Sequence, residues 1–184
     1  MVEISNLMEN AKSNMMNMMK YKKYYLAIFL FLVIGLIVFA LALHINSTLS
    51  KKDTNNSNMI QGYEKLGGTE IGSINNGNSD HKHLLRDYYV MSSYNTCCGG
   101  NFTKDFVDII PLKETIRQGA RLLDFEIYSL DGEPVVAAGE DANENGKYLL
   151  KGTYNSIPFS QVMNQVKMLA FSGSIAPNSN DPLF

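Results

Sequence analysis

From Tyr24 to Leu43 the chain carries no charged residue, and from Leu26 to Leu43 it is almost wholly aliphatic or Phe. About 20 apolar residues at ~1.5 Å rise per residue cross a hydrocarbon core of ~30 Å. A soluble helix of such uniform hydrophobicity would be unusual, because one face normally meets water. A transmembrane helix over residues 24–45 is therefore expected, and it divides the chain into two parts. A cleaved signal peptide would have a shorter apolar region and a small-residue cleavage site after it. Here a long segment precedes the run and His44-Ile45-Asn46 follows it, which favours an uncleaved signal-anchor.

Lys12, Lys20, Lys22 and Lys23 precede the span, and Lys51 and Lys52 follow it. The excess of cations before the span makes residues 1–23 a cytosolic tail and puts the rest of the chain outside the cell or in a lumen. Tyr21, Tyr24 and Tyr25 sit where an interfacial aromatic belt is expected. Met1, Met8, Met15, Met16, Met18 and Met19 form either an apolar helical stripe or part of a poorly ordered tail. Residues 46–80 are rich in Asn, Ser and Gly with scattered apolar residues, a composition that predicts a flexible linker. Asn55-Asn56-Ser57 and Asn101-Phe102-Thr103 are glycosylation sequons compatible with an external placement.

The pattern changes after the linker. Over residues 81–184 nine Lys/Arg face twelve Asp/Glu, with no basic patch, which argues against nucleic acid as a partner. Cys97 and Cys98 are adjacent and are the only cysteines, so they define neither a disulfide framework nor a zinc site. Tyr88 to Met91 reads as a short buried strand. Pro111 to Gln118 reads as a helix, with Asp108 near its start and Gly119 as its stop. Leu122 to Tyr128 alternates as a strand, Leu130-Asp131-Gly132-Glu133 is a turn, and Pro134 to Ala137 is a second strand. Ser160 to Ala170 is an amphipathic helix. Pro182-Leu183-Phe184 reads as the start of another strand. Alternating strands and helices predict an α/β fold with parallel pairing.

Three segments carry a resemblance: Met91-Ser92-Ser93-Tyr94-Asn95-Thr96, Gly119 to Glu126, and Glu133 to Gly139. In order and spacing they resemble the X region of phosphatidylinositol-specific phospholipase C. The family pattern runs Ser-His-Asn-Thr, then Gly-x-Arg-x-x-Glu-x-Asp, then Pro-x-x-x-His-Gly. The resemblance covers roughly Leu84 to Phe184. It implies the N-terminal part of a phospholipase C-like (β/α)8 TIM barrel over residues 81–184, in a chain that is a truncated part of a longer protein or needs a partner to fold. A whole barrel typically takes ~250 residues.

The resemblance also implies a site. In the family two histidines flank the phosphate as base and acid while a ring hydroxyl attacks phosphorus. Here those positions hold Tyr94 and Ala138. A phenol is a poor base near neutral pH and a methyl group moves no proton. Asn95 falls on the family's metal-binding Asn, and Asp124 and Glu126 fall on its acidic pair with the two acids exchanged. Two residues apart on a strand, their side chains share a face. An amide and two carboxylates suit a hard cation, which makes Ca²⁺ the implied cofactor. The expected function is a membrane-anchored, catalytically degenerate domain that binds a membrane lipid's phosphoinositide or inositol-phosphate head group, or a divalent ion. The alternatives are an active phosphoric diester hydrolase with non-standard residues, and an interaction scaffold at a membrane or envelope whose protein partner is unknown. The apolar run alone yields one prediction: alkaline carbonate should leave the full chain in the membrane pellet, and release into the supernatant would argue against a span.

Overall fold

The computed structural model describes residues 2–66, 71–75, 77–141 and 149–184. The protein is a mixture of helix and sheet in two units, Met1–Thr48 and Leu49–Phe184.

The first unit is helical. It belongs to α1 (Val2–Leu66), whose apolar window reaches a mean hydropathy of 3.2 and is not buried by any other part of the protein. Side chains such as Phe31, Leu36 and Phe39 are exposed all round the helix. This helix is long and apolar enough to span a bilayer, where lipid would cover that surface. The described residues before Tyr24 belong to the same helix.

The second unit begins inside α1, so part of the stretch expected as a linker is helical. Residues 49–66 are helical despite their Asn-rich composition, because their side chains find partners far along the chain. The Asn55 amide lies 3.0 and 2.9 Å from the two Asp105 oxygens, and Asn56 donates to Asp108 at 2.7 Å. Lys52 pairs with Asp108 at 3.2 Å, and the Lys51 ammonium donates to the Lys104 carbonyl at 3.3 Å. Beyond α1, the Ser73 hydroxyl and the Ile74 N–H donate to Asp181 at 2.6 and 2.9 Å. Single 3₁₀ turns follow at Ser79–His81 and Leu85–Asp87.

The predicted strand at Tyr88 to Met91 is displaced. The extended pairing falls instead at β1 (Ser92–Ser93), which runs parallel to β2 (Leu122–Leu123). Between them lies α2 (Ile109–Arg117). The Asp108 carboxylate accepts from the Ile109 N–H to cap it, and Gly119 ends it at φ 93°. The left-handed backbone favours glycine there, and a Cβ at position 119 would also press on the Ile71 side-chain tip at 2.9 Å. Phe184 lies on the other side of β2. Its N–H donates to the Arg121 carbonyl and its carbonyl accepts from the Leu123 N–H, the ladder of a parallel partner.

The single strand expected from Leu122 to Tyr128 is broken at Asp124-Phe125. The chain then forms a hairpin from β3 (Glu126–Leu130) and β4 (Glu133–Ala137), with Asp131 and Gly132 at positive φ in its two-residue turn. β5 (Gly139–Asp141) pairs with β6 (Leu149–Lys151), and β7 (Ile157–Pro158) adds to β4. These pairs are all antiparallel, so the expected parallel pairing is confined to β1, β2 and Phe184. The described strands form three small sheets rather than a closed barrel.

α3 (Phe159–Ala170) buries Val162, Val166 and Ala170, one stripe at four-residue spacing. They pack with Leu112 and Ile116 of α2 and with Val107, Val136 and Ile157 to form the core. Leu112 is fully buried. Leu112→Ala should therefore cost about 2–5 kcal/mol. A lowered urea midpoint with unchanged slope would show this, read by near-UV circular dichroism on the full chain in detergent micelles.

Candidate functional site

β1 and β2 deliver their chains to the same end. After Ser93 the backbone turns through Tyr94 and Asn95, and Asn95 adopts φ 45°, a left-handed conformation that Asn tolerates better than most residues. The turn is tied to the exit of β2. The Thr96 N–H donates to the Asp124 carbonyl at 2.9 Å, and the Asp124 N–H donates to the Ser93 carbonyl at 3.1 Å. Ala138 and Gly139 leave β4 at this same end, because Glu126 pairs with Ala137 across the hairpin.

The cluster is organised around the Glu126 carboxylate. Oε1 accepts from Asn95 Nδ2 at 2.7 Å and from the Tyr94 hydroxyl at 3.3 Å. Oε2 accepts from the Tyr128 hydroxyl at 2.8 Å and from the Gly139 N–H at 3.0 Å. Asp124 Oδ2 accepts from the Asn95 N–H at 3.3 Å. Five positions singled out in the sequence, Tyr94, Asn95, Asp124, Glu126 and Ala138, thus lie in or directly beside one hydrogen-bonded group. The acidic pair does not share a strand face as expected, since it straddles the break between β2 and β3. Both carboxylates nevertheless meet Asn95. The sequence reading missed Tyr128 and the Gly139 N–H. Tyr128 was findable, because it lies two residues past Glu126 on one strand and so shares its face.

Tyr94 and Ala138 differ in surroundings. Tyr94 is 66% exposed and meets Phe102 edge to face at 5.4 Å between ring centres. Ala138 is fully buried. Its carbonyl accepts from the Gly152 and Thr153 N–H groups at 2.9 and 3.1 Å, and its N–H faces the Thr153 hydroxyl at 3.4 Å. Position 138 is therefore both chemically blank and covered by the 152–153 segment. Neither His81 nor His83 is bonded to the cluster: His81 accepts from the Asn75 N–H and His83 packs edge-on against Tyr88.

The donor chemistry can be tested against a hard cation. Glu126 only accepts, so the amide nitrogen of Asn95 must face it and Oδ1 must point away. That oxygen is buried and has no hydrogen-bond partner. Ca²⁺–O distances of ~2.3–2.6 Å are shorter than water contacts, so an oxygen closed to water can still face an ion. Asn95 Oδ1, Asp124 and Glu126 fit Ca²⁺ in donor type. Against that, both Glu126 oxygens already carry neutral donors, and no group of three His, Cys, Asp or Glu gathers among the described residues.

Burial also sets proton affinities here. The Tyr128 phenol is pushed above its ordinary value by burial and by its hydrogen bond to Glu126. Burial pushes Cys98 up to about 12, with Glu126 and Asp105 adding repulsion. Cys97 also rises to about 12, through burial and then through Cys98 and Asp108. The chain matches no protein-family model, no curated protein and no solved structure.

The thiols give a pH prediction. The folded state keeps both protons above pH 9.0, where the unfolded state loses them, so this contribution to stability should fall between pH 9.0 and about 12. Near pH 8 both thiols should react slowly with a disulfide reagent in the folded chain and quickly in guanidinium. Fast reaction in the folded chain would contradict the burial.

Proposed function

We propose that this chain is a membrane-anchored relative of the phosphatidylinositol-specific phospholipase C X region that binds an inositol-phosphate head group without cleaving it. One observation carries the reading. Three segments, each matching a piece of the family pattern and lying 31 and 13 residues from Glu126 at Asn95 and Gly139, meet around its carboxylate at the C-terminal ends of parallel strands. Catalytic ends of (β/α)8 barrels lie on that side. The order β1, α2, β2, α3, Phe184, with β2 between two parallel neighbours, supports reading these elements as the first strands of such a barrel. The β3–β4 and β5–β6 hairpins are then additions at the exit of β2.

The missing proton chemistry argues for binding. A base and an acid each contribute typically ~10²–10⁴ in rate, and here one position is a phenol and the other a covered methyl group. The carboxylates of Asp124 and Glu126 suit the hydroxyls of a polyol, which donate to them. For Asn95, Asp124 and Glu126 to hold Ca²⁺ together, the Asn95 amide would have to turn its oxygen towards Glu126 in place of its nitrogen; a bound ion's charge would then offset that of phosphoryl oxygens. The lysine bias supports an N-terminus in the cytosol and an 81–184 region on the extracellular or lumenal side.

An active phosphodiesterase is the second reading. The contact between the Tyr94 hydroxyl and Glu126 favours it, since a carboxylate beside a phenol is a proton acceptor.

Calorimetry on the full chain in neutral detergent, with inositol 1-phosphate as ligand and with and without Ca²⁺, separates these readings from none. Binding should weaken at least about tenfold in Glu126→Gln, which removes a charged partner from the hydrogen-bonded group. No inositol phosphate should be released from phosphatidylinositol. Release that disappears in Tyr94→Phe would favour the second reading, and absence of binding would end the first.

A further inference from the structure

Beside Gly139 lies an open groove of about 470 Å³, lined by Lys51, Asn101, Phe102, Thr103, Lys104 and Glu140 as well as Gly139 itself. We infer that this groove is an anion subsite that takes the phosphate of a phosphorylated polyol, held by Lys51 and Lys104. The inference deepens the head-group reading and rests on it only for the identity of the polyol.

Charge comes first. Lys52, next along α1, is neutralised by Asp108, whereas neither Lys51 nor Lys104 is in an ion pair among the described residues. The lining carries two lysines and one acidic residue, Glu140, a net positive charge by residue type. This is the local basic feature that counting residues from His81 onward overlooked, because Lys51 arrives from the membrane helix. The Asn101 amide and the Thr103 hydroxyl add neutral polar groups of the kind that complete a phosphate shell.

Preorganisation comes second. Lys104 holds a left-handed φ of 53°, its N–H donates to the Gly152 carbonyl at 2.9 Å, and its carbonyl receives the Lys51 ammonium. A Cβ on Gly152 would collide with Thr103 at 2.6 Å, so this segment lies tight against the groove wall. The Lys51 ammonium has three N–H donors and uses one on Lys104, which leaves two for a ligand. A loop already fixed in place adds little ordering cost on binding.

Position comes third. Gly139 belongs to both places: it lines the groove, and its N–H is bonded to Glu126. A ligand with its phosphate in the groove therefore brings adjoining hydroxyls towards the carboxylate cluster. The source of the ester is either a lipid or solution.

The test uses the full chain in neutral detergent micelles, titrated with inositol 1-phosphate, inorganic phosphate and free inositol. The variants are Lys104→Gln, Lys51→Gln and, as a control, Lys167→Gln on exposed α3. Lys104→Gln keeps the backbone contact to Lys51, and near-UV circular dichroism checks that the variants fold. Inositol 1-phosphate binding should weaken about tenfold or more in each groove variant and stay unchanged in Lys167→Gln. Inorganic phosphate should compete, and free inositol should bind more weakly than its phosphate. Wild-type affinity in folded Lys104→Gln and Lys51→Gln overturns the groove, even where Glu126→Gln still abolishes binding and the head-group reading stands. Conversely, phosphate binding that needs both lysines but gains nothing from the inositol ring keeps the groove and overturns the head-group reading. In phosphatidylcholine nanodiscs, added phosphatidylinositol that competes with the soluble ester supports a lipid source, and no competition overturns that source.

Discussion

The structure of the second unit depends on one buried carboxylate. Asp105 is 2% exposed, and its oxygens are met by the Asn55 amide and by the backbone N–H groups of Asn101 and Phe106. A carboxylate this far from water is tolerated only when its lone pairs are occupied. Meeting that requirement folds the 101–105 loop back on itself and draws α1 against it. Phe102 then lies beside Tyr94, Lys104 lies beside Lys51, and the Asp105 carbonyl receives the Tyr154 N–H. Gly100 packs so closely on Asn55 that a side chain there would collide with its amide. Both the cluster around Glu126 and the neighbouring groove inherit their positions from this arrangement.

A second buried charge fixes the opposite end of the parallel strands. The Arg121 guanidinium donates to the carbonyls of Ala170, Asp181 and Pro182, joining the end of α3 and the approach to Phe184 to the start of β2. Burial lowers its pKa, and the nearby Asp181 partly offsets that. In the motif that prompted the family resemblance this arginine reads as part of a site. Here it organises carbonyls within the fold, while the acids that follow it in the motif face the other end. One contiguous stretch of sequence thus supplies both a structural clasp and candidate binding groups.

Much of this was legible because its signals are local. The apolar span, the Asp108 cap and Gly119 stop of α2, the Asp131-Gly132 hairpin turn and the stripe of α3 each depend on residues within a few positions of one another. The failures involve long-range partners. Nothing near Asn55 or Asn56 announces a helix, and the carboxylates that hold them lie about fifty residues away. The break at Asp124-Phe125 was hidden by an unbroken alternating pattern, because the two halves of that pattern pair with different strands. At the site, the residue types were readable but their arrangement was not. Asn95 uses its nitrogen on Glu126, where a metal-binding reading would have used its oxygen, and only the geometry shows this.

The way residues 49–66 of α1 join the second unit bears on where proteolysis could separate that unit from the apolar helix. A protease that cut in the Asn/Ser-rich stretch after Asn56 would leave Lys51, Lys52, Asn55 and Asn56 on the anchor side. The released piece would carry Asp105 without its side-chain donor and Asp108 without its cation, so cleavage there would damage the unit it freed. A fragment starting at residue 81 would also lose Ser73 and Ile74 from Asp181. The least disruptive release point lies instead on the N-terminal side of Leu49, where the compact unit begins.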